Sequence, residues 1–419
     1  MSPPLRPQMR LLWITPYVPV PTFGGGARVY NLIKVLATSS TVDLIALAEE
    51  PNDKDAMAQQ LLALCRSVNY VLPPFSSPKG RRLAQFHAVG SLRPSHYNLY
   101  YSPEMQKQIN HALQRNHYDA VIIEHSFTGY YMIGSGTPVV LDQHNVESDI
   151  LYRTARTGQS FARRGYNLLD WLKYRRDERQ ICQRADLILA TSDRDRGVMR
   201  KWGRTPPLYV VPNGVDTTYF RPVLSNTYEK EAERTNLVFT ASMHYSPNVE
   251  AMLYFVETIW PYIQSNAPGT TLRIVGGAPP PEIMELGRRP YITVTEYVPD
   301  LRPYIAAADV VVVPLRVGGG TRLKILEALA MGQAVVSTSL GCEGLAVEDG
   351  HHLLVADGPI EFAKQVVDLL RAPQRRVELG KNGRRLVEDV YDWRTIGARL
   401  EQLLRGLPAL GKKLVTTDE

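Results

Sequence analysis

The chain reads as an α/β protein built on two doubly wound parallel sheets, and three observations predict this. Short, almost wholly apolar runs alternate with longer amphipathic segments. Several of those runs end in Gly-rich or Asn-Gly turns, as strands do when they feed a loop or helix. The 419 residues exceed what one compact core takes up, so about 200 residues fall to each of two domains.

In chain order, RLLWITPYVP is a buried strand, followed by the glycine-rich loop TFGGGA and a helix over RVYNLIKVLATS. The runs TVDLIALA, YDAVIIEHS, TPVVLDQHN, ADLILATS and LYVVPNG are further strands. A polar, irregular stretch at 221–235, RPVLSNTYEKEAERT, reads as the linker. The alternation then restarts with NLVFTAS, the helix NVEAMLYFVETIWPYI, and the runs TLRIVGG, ITVTEYV, ADVVVVPL, QAVVSTS and HLLVAD. The expected organisation is therefore an N-terminal domain at 1–220, a C-terminal domain at 236–390, and an amphipathic terminal helix within 391–419 that packs back on one of them. Open α/β sheets bind ligands beyond the carboxyl ends of their strands. The natural site is then a cleft where two such edges face each other.

Composition narrows the function classes. Hydrophobic residues make up 44% and charged residues 21%, ordinary values for a globular protein. The net charge of +6 suits acidic ligands or an anionic surface, but no known nucleic-acid motif is present. Cys65, Cys182 and Cys342 are far apart and odd in number, against a disulfide scaffold or a thiolate zinc site. The apolar run LLWI is too short for a signal peptide, and nothing approaches the ~20 apolar residues of a membrane span. A cytoplasmic protein, in peripheral contact with an anionic membrane, is the expectation.

The stretch Val313 to Thr338, VPLRVGGGTRLKILEALAMGQAVVST, carries the strongest chemical signal. Gly318, Gly319 and Gly320 leave a strand and lead into a helix expected from about Thr321 to Met331, with Gly332 as its stop. Arg322 and Lys324 fall in its first turn, where peptide dipoles already leave positive charge. Cations, open backbone N–H groups and a positive helix end belong together if an anion binds there, and phosphate is the usual one. Read without that anion, Lys324 and Glu327 form a surface pair and the glycines a plain turn.

These residues resemble the nucleotide-sugar motif of the family 4 glycosyltransferases, retaining enzymes of the GT-B fold. YVVPNGVDTTYFRP is similar to that family's interdomain segment, GGGARVYNLIKVLA to its N-terminal glycine loop and helix, and FTASMHYSPNVEAMLYF to the opening of its C-terminal domain. The resemblance implies that Glu327 holds the ribose hydroxyls of a nucleotide-diphosphate sugar and that Arg322 and Lys324 meet the diphosphate. Gly318, Gly319, Gly320 and Thr321 then line the donor. Gly319 stands where many members carry a first glutamate. Gly24, Gly25 and Gly26 match the N-terminal loop, which approaches the diphosphate or the acceptor, and Arg28 begins its helix. His125 matches a histidine beside the donor sugar. LDQHNVES is similar to a second motif that sets Asp142, His144, Asn145 and Glu147 at a strand end, on the acceptor side, although helix capping by Asn145 or Ser148 explains part of it.

For such an enzyme the resemblance implies transfer with retention on the front face of the sugar, with the leaving phosphate taking the acceptor's proton. Arg322, Lys324 and the loop amides then stabilise the departing diphosphate. No second carboxylate of the kind a retaining glycosidase needs is assignable, and no metal-ligand spacing appears, so no metal or cofactor is expected. The other readings are a nucleotide-sugar epimerase or hydrolase of the same fold, and a sugar-nucleotide-binding protein without turnover. The basic, aromatic-laced segment RTARTGQSFARRGYNLLDWLKYRRDERQ is either a membrane-facing surface or a long helix with snorkelling cations. Tyr97, Tyr100, Tyr101, Tyr130 and Tyr131 stack on an acceptor sugar or pack a core.

Overall fold

The computed structural model describes residues 8–21, 24–48, 56–75, 77–134, 136–155, 161–203, 205–222, 235–318 and 320–407. It separates into two units, one made of 1–212 with 396–419 and one of Asn213–Thr395.

The first unit carries a parallel sheet of seven strands among the described residues. In chain order they are β1 (Met9–Thr15), β2 (Ser40–Leu47), β3 (Ser67–Val71), β4 (Ala120–Glu124), β5 (Val139–Gln143), β6 (Leu187–Ala190) and β7 (Leu208–Val210). Their order across the sheet is β3-β2-β1-β4-β5-β6-β7. Register pairs Trp13 with Leu44 on one side and with Ile122 on the other, so all strands point the same way and their carboxyl ends share one edge. β1 and β4 are buried almost along their whole length, which is why their sequences are continuous apolar runs rather than alternating ones. Leu12, Ile14, Val121, Ile123 and Leu141 pack against Met105, Ile109 and Ile181 from the helices.

The second unit has six parallel strands among the described residues: β8 (Asn236–Thr240), β9 (Thr271–Val275), β10 (Ile292–Val294), β11 (Val310–Val313), β12 (Val335–Ser337) and β13 (Leu354–Val355). They lie in the order β10-β9-β8-β11-β12-β13. The two-residue period of a strand splits their side chains between two cores. Leu237, Phe239, Ile274, Val310, Val312 and Val336 face Phe255 and Phe362 on one side. Val238, Val275, Val311, Val313 and Val335 face Ile325, Leu326 and Leu329 on the other.

Two differences from the sequence reading have physical causes. The single helix expected over 248–263 is interrupted by a wider π turn at Phe255–Ile259. Pro261 follows directly and lacks the N–H that a regular helix needs there. The division between units falls at Pro212–Asn213, ahead of the stretch expected as linker, of which 223–234 lies outside the described residues. Val215 pairs there with Asp392, whose carboxylate accepts from Thr217, so 213–222 belongs to the second unit. The terminal helix Trp393–Arg405 crosses into the first unit, where Gly397 lies so close to Val35 that a Cβ would sit 2.3 Å from its Cγ1.

Candidate functional site

In the first unit, the carboxyl ends of β1, β4 and β5 converge on a buried polar set. Glu124, the last residue of β4, accepts from Trp13 Nε1 at 2.5 Å and pairs with His144 Nε2 at 2.5 Å. Asp142 accepts from Arg28 Nε and Nη2, both at 2.8 Å, and Arg28 Nη1 also donates to the Pro212 carbonyl at 3.0 Å. Glu124, Asp142 and His144 bring ligating atoms within 4.8 Å of one another. Their oxygens are nevertheless already held by Trp13, Arg28 and His144, so the trio forms a satisfied hydrogen-bonded set.

His125 stands above this set. Its Nε2 lies 2.9 Å from the Tyr17 hydroxyl, and its ring stacks on Phe127 at 4.5 Å between centroids. The backbone at His125 has φ 63° and ψ 149°, a conformation that only glycine adopts readily. Strain of this kind persists only where the surroundings impose it, here through Tyr17, Phe127 and His144. The two histidines, 4.0 Å apart between centroids, differ in charge. Burial works to lower the His144 pKa, but Glu124 and Asp142 outweigh it and lift the imidazole to about 9. Burial and the neighbouring His144 charge push His125 down to about 4. At neutral pH the site therefore offers a neutral imidazole beside a charged one.

The glycine triplet is the first turn of the helix Gly24–Leu36, not a loop before it. A Cβ at Gly25 would lie 2.3 Å from the Tyr17 hydroxyl and 2.8 Å from His144 Nδ1, so only glycine lets this turn come so near both groups. Arg28 consequently sits in the second turn, fully buried, with its guanidinium committed to Asp142. On the β5 side, the first N–H groups of the helix Glu147–Ala155 are met by a distant carboxylate. The Glu178 carboxylate accepts from the backbone N–H groups of Glu147 (3.0 Å) and Ser148 (3.1 Å), and from Gln143 Nε2 at 2.8 Å. Burial, with Glu147 nearby, pushes Glu178 up to about 7. Asn145 contacts Glu147 at 3.5 Å, and Glu147 Oε1 lies 3.6 Å from His125 Nδ1.

In the second unit, β11 ends at Val313 and the chain turns through Gly318 (φ 113°) and Gly320 (φ 78°), both in the left-handed region. Gly319 lies outside the described residues. The helix runs Leu323–Ala330, so Thr321 and Arg322 precede it and Arg322 is its N-cap rather than a first-turn residue. Arg322 is buried and donates from Nη1 to the Gly320 carbonyl at 3.0 Å. Lys324 Nζ donates to Asn248 Oδ1 at 2.9 Å and lies 4.1 Å from the centre of the Phe239 ring. Burial and the Arg322 charge push Lys324 down to about 7. Burial pushes Glu327 up to about 7, only partly offset by Lys324. Among the described residues neither Lys324 nor Glu327 has a charged hydrogen-bond partner.

The structure thus gathers Tyr17, Gly25, Arg28, His125, His144 and Asn145 in the first unit, and Gly318, Gly320, Thr321, Arg322, Lys324 and Glu327 in the second. Sequence reasoning missed Tyr17, Glu124 and Glu178 as site-builders, and Asn248 and Phe239 as the seat of Lys324.

Comparison with known proteins gives this arrangement a context. The family model described as Glycosyltransferase Family 4 matches residues 24–219, and the one described as Glycosyl transferases group 1 matches residues 234–372. The chain belongs to the family 4 glycosyltransferases. A GDP-mannose-dependent alpha-(1-6)-phosphatidylinositol monomannoside mannosyltransferase of Mycolicibacterium smegmatis is 32% identical over 54% of this chain, and the match spans 64% of that relative. Among solved structures, the sucrose-phosphate synthase of Thermosynechococcus elongatus aligns over 96% of this chain and 99% of its own, with a TM-score of 0.65 at 19% identity. Anabaena HepE in complex with UDP-glucose aligns over 95% and 100%, with a TM-score of 0.66 at 16% identity. The fold of this family 4 member is accordingly the GT-B class, with one doubly wound sheet in each unit.

Proposed function

We propose that this chain transfers a sugar from a nucleotide-diphosphate donor to a hydroxyl of a glycan, glycolipid or small-molecule acceptor, with retention at the anomeric carbon. The observation that carries the reading is Lys324. A mostly buried ammonium held by a neutral amide and an aromatic face, with Arg322 beside it, is a costly arrangement that an incoming diphosphate relieves. On this reading Gly318 and Gly320, both at positive φ, offer backbone N–H groups to the diphosphate, and Glu327, in the helix Leu323–Ala330, accepts from ribose hydroxyls.

Leaving-group stabilisation then falls to Arg322, Lys324 and the glycine amides, which act where charge develops on the departing phosphate. His125, neutral at pH 7, offers a hydrogen bond to the donor sugar or the acceptor without competing for the diphosphate. On the acceptor side, the glycine turn that opens the helix Gly24–Leu36 offers backbone N–H groups at a positive helix end. The relatives support the donor class: the mycobacterial match is named for GDP-mannose, and the Anabaena structure holds UDP-glucose. The lipid-borne acceptor in the first name supports a glycolipid among the acceptor classes.

Proton NMR of the product tests the mechanism, once a donor and acceptor pair turns over. An axial linkage from an axial donor is the expected result, and an equatorial linkage overturns retention. Donor consumption that yields only free sugar or an epimerised nucleotide, whatever acceptor is supplied, overturns transfer itself.

A further inference from the structure

The helices Pro78–Val89 and Phe161–Arg184 lie side by side in the first unit. Tyr166 donates to the Gln85 carbonyl at 3.3 Å, Lys173 to the Ala88 carbonyl at 2.7 Å, and Arg176 Nη2 to the Leu92 carbonyl at 2.8 Å. These bonds bring together outward faces that are apolar. Phe86 is 74% and Leu92 79% exposed, with Leu83 and Val89 exposed beside them. Leu168, Leu169 and Leu172 are exposed on the long helix. A run of large apolar groups left in water over two adjoining helices marks an interaction surface, not ordinary surface scatter.

Charge decides what the surface meets. The stretch 78–94 contains no Asp or Glu, and Lys79, Arg82 and Arg93 are exposed on it. Arg164 and Arg176 add to this from the long helix. The acids of that helix nearest the surface are withdrawn from solvent. Asp170 is buried and accepts from the Ser95 N–H and hydroxyl, while Asp177 is buried against Arg93, Arg176 and Tyr130. The exposed face therefore presents apolar side chains among cations, with the local carboxylates tucked beneath. A second copy of the chain would set this positive face against itself, and like charges facing each other disfavour that pairing.

We propose that the surface formed by the helices Pro78–Val89 and Phe161–Arg184 docks on a bilayer containing anionic phospholipid. Phe86, Leu92, Leu168 and Leu172 enter the headgroup boundary and Lys79, Arg82 and Arg164 meet the lipid phosphates. This deepens the proposed function by placing a lipid-borne acceptor within reach of the first unit, and rests on that reading only for its purpose. Vesicle binding is read without any sugar transfer, so its failure and the failure of the transferase reading are distinguishable.

The test is co-sedimentation of the full chain with vesicles of phosphatidylcholine alone and of phosphatidylcholine with 30% phosphatidylglycerol, where 30% is roughly a fraction that gives a substantial surface potential. Binding to the anionic vesicles, at least about tenfold stronger than to the neutral ones and weakened by salt, is the expected result. F86S/L92S should weaken it by roughly tenfold or more, and K79E/R82E by about fivefold per cation changed or more. These positions are exposed, so circular dichroism and thermal melting should match the wild type. Equal binding to both vesicles, no binding to either, or unchanged binding by both variants overturns the proposal. So does concentration-dependent dimerisation in light scattering that F86S/L92S abolishes while vesicle binding persists.

Discussion

Replacing Lys324 with methionine should make the protein more stable and poorer at binding donor. In the folded chain burial and Arg322 bring the Lys324 ammonium from an ordinary 10.5 to about 7. A drop of that size corresponds to on the order of 4–5 kcal/mol of penalty while the group is charged. Because the folded value lies below the unfolded one, the penalty is full below about pH 7 and disappears as the pH rises toward 10.5. Methionine fills a similar volume without charge. It forfeits the Asn248 hydrogen bond and the contact with the Phe239 face, together roughly 2 kcal/mol. A net gain of about 2 kcal/mol remains at pH 7, a rise in Tm of roughly 4–8 °C for a unit of this size. Donor affinity should fall by roughly 2–3 kcal/mol, about 30- to 150-fold, through loss of a charge-assisted bond to phosphate. Differential scanning calorimetry from pH 7 to 10 and titration calorimetry with the donor measure both effects. The stability gap between variant and wild type should narrow as the pH rises. A Lys324→Met protein that is less stable yet binds donor normally would refute the reasoning, since Lys324 would then be a structural contact alone.

Gly25→Ala should leave the fold intact but cut turnover by roughly tenfold or more. Its Cβ displaces the Tyr17 hydroxyl or His144, and crowding of this kind costs about 1–3 kcal/mol; steady-state kinetics beside a melting curve checks it. At His125, substitution by glycine should cost less stability than substitution by alanine, by about 1 kcal/mol in urea unfolding, because φ 63° suits glycine. Both should lower kcat, and equal stability of the two would contradict the strain. Glu178→Ala removes the acceptor from the N–H groups of Glu147 and Ser148 and from Gln143, and should cost roughly 3 kcal/mol in the same assay. Donor affinity should peak near pH 7. Above it Lys324 must take up a proton to meet the diphosphate, and below it Glu327 loses the charge with which it accepts ribose hydroxyls. Calorimetry in buffers of different ionisation enthalpy reads the proton uptake directly.

Much of the fold was legible because buried parallel strands write themselves as apolar runs, as VVVV of β11 and AVIIE of β4 do. The strand β3, SVNYV, escaped because it is a sheet edge, only partly buried, and its sequence does not form such a run. The proposed donor motif was readable because its charges and glycines are contiguous from Gly318 to Glu327. The first-unit site was harder, since its contacts span long separations. Arg28 read as a cation awaiting an anion, and nothing local revealed that Asp142, 114 residues on, holds it. Glu178 looked like one acid in a basic helix, and only the fold brings it to the start of the helix Glu147–Ala155. Helix starts were displaced for a related reason. Gly24 to Gly26 joined a helix that propensity alone would have begun later; Tyr17 and His144 crowd the Gly25 position and Val20 the Gly26 position, so this turn is built of glycine.

The most direct measurement is a thermal-shift screen of wild type and Glu327→Ala against UDP-, GDP-, ADP- and dTDP-sugars. A donor at about 100 times its Kd adds about 2.7 kcal/mol, so one nucleotide class should raise Tm by several degrees. That shift should be lost in Glu327→Ala. No shift with any of the four, or one that Glu327→Ala leaves unchanged, would contradict a donor site at Gly318 to Glu327.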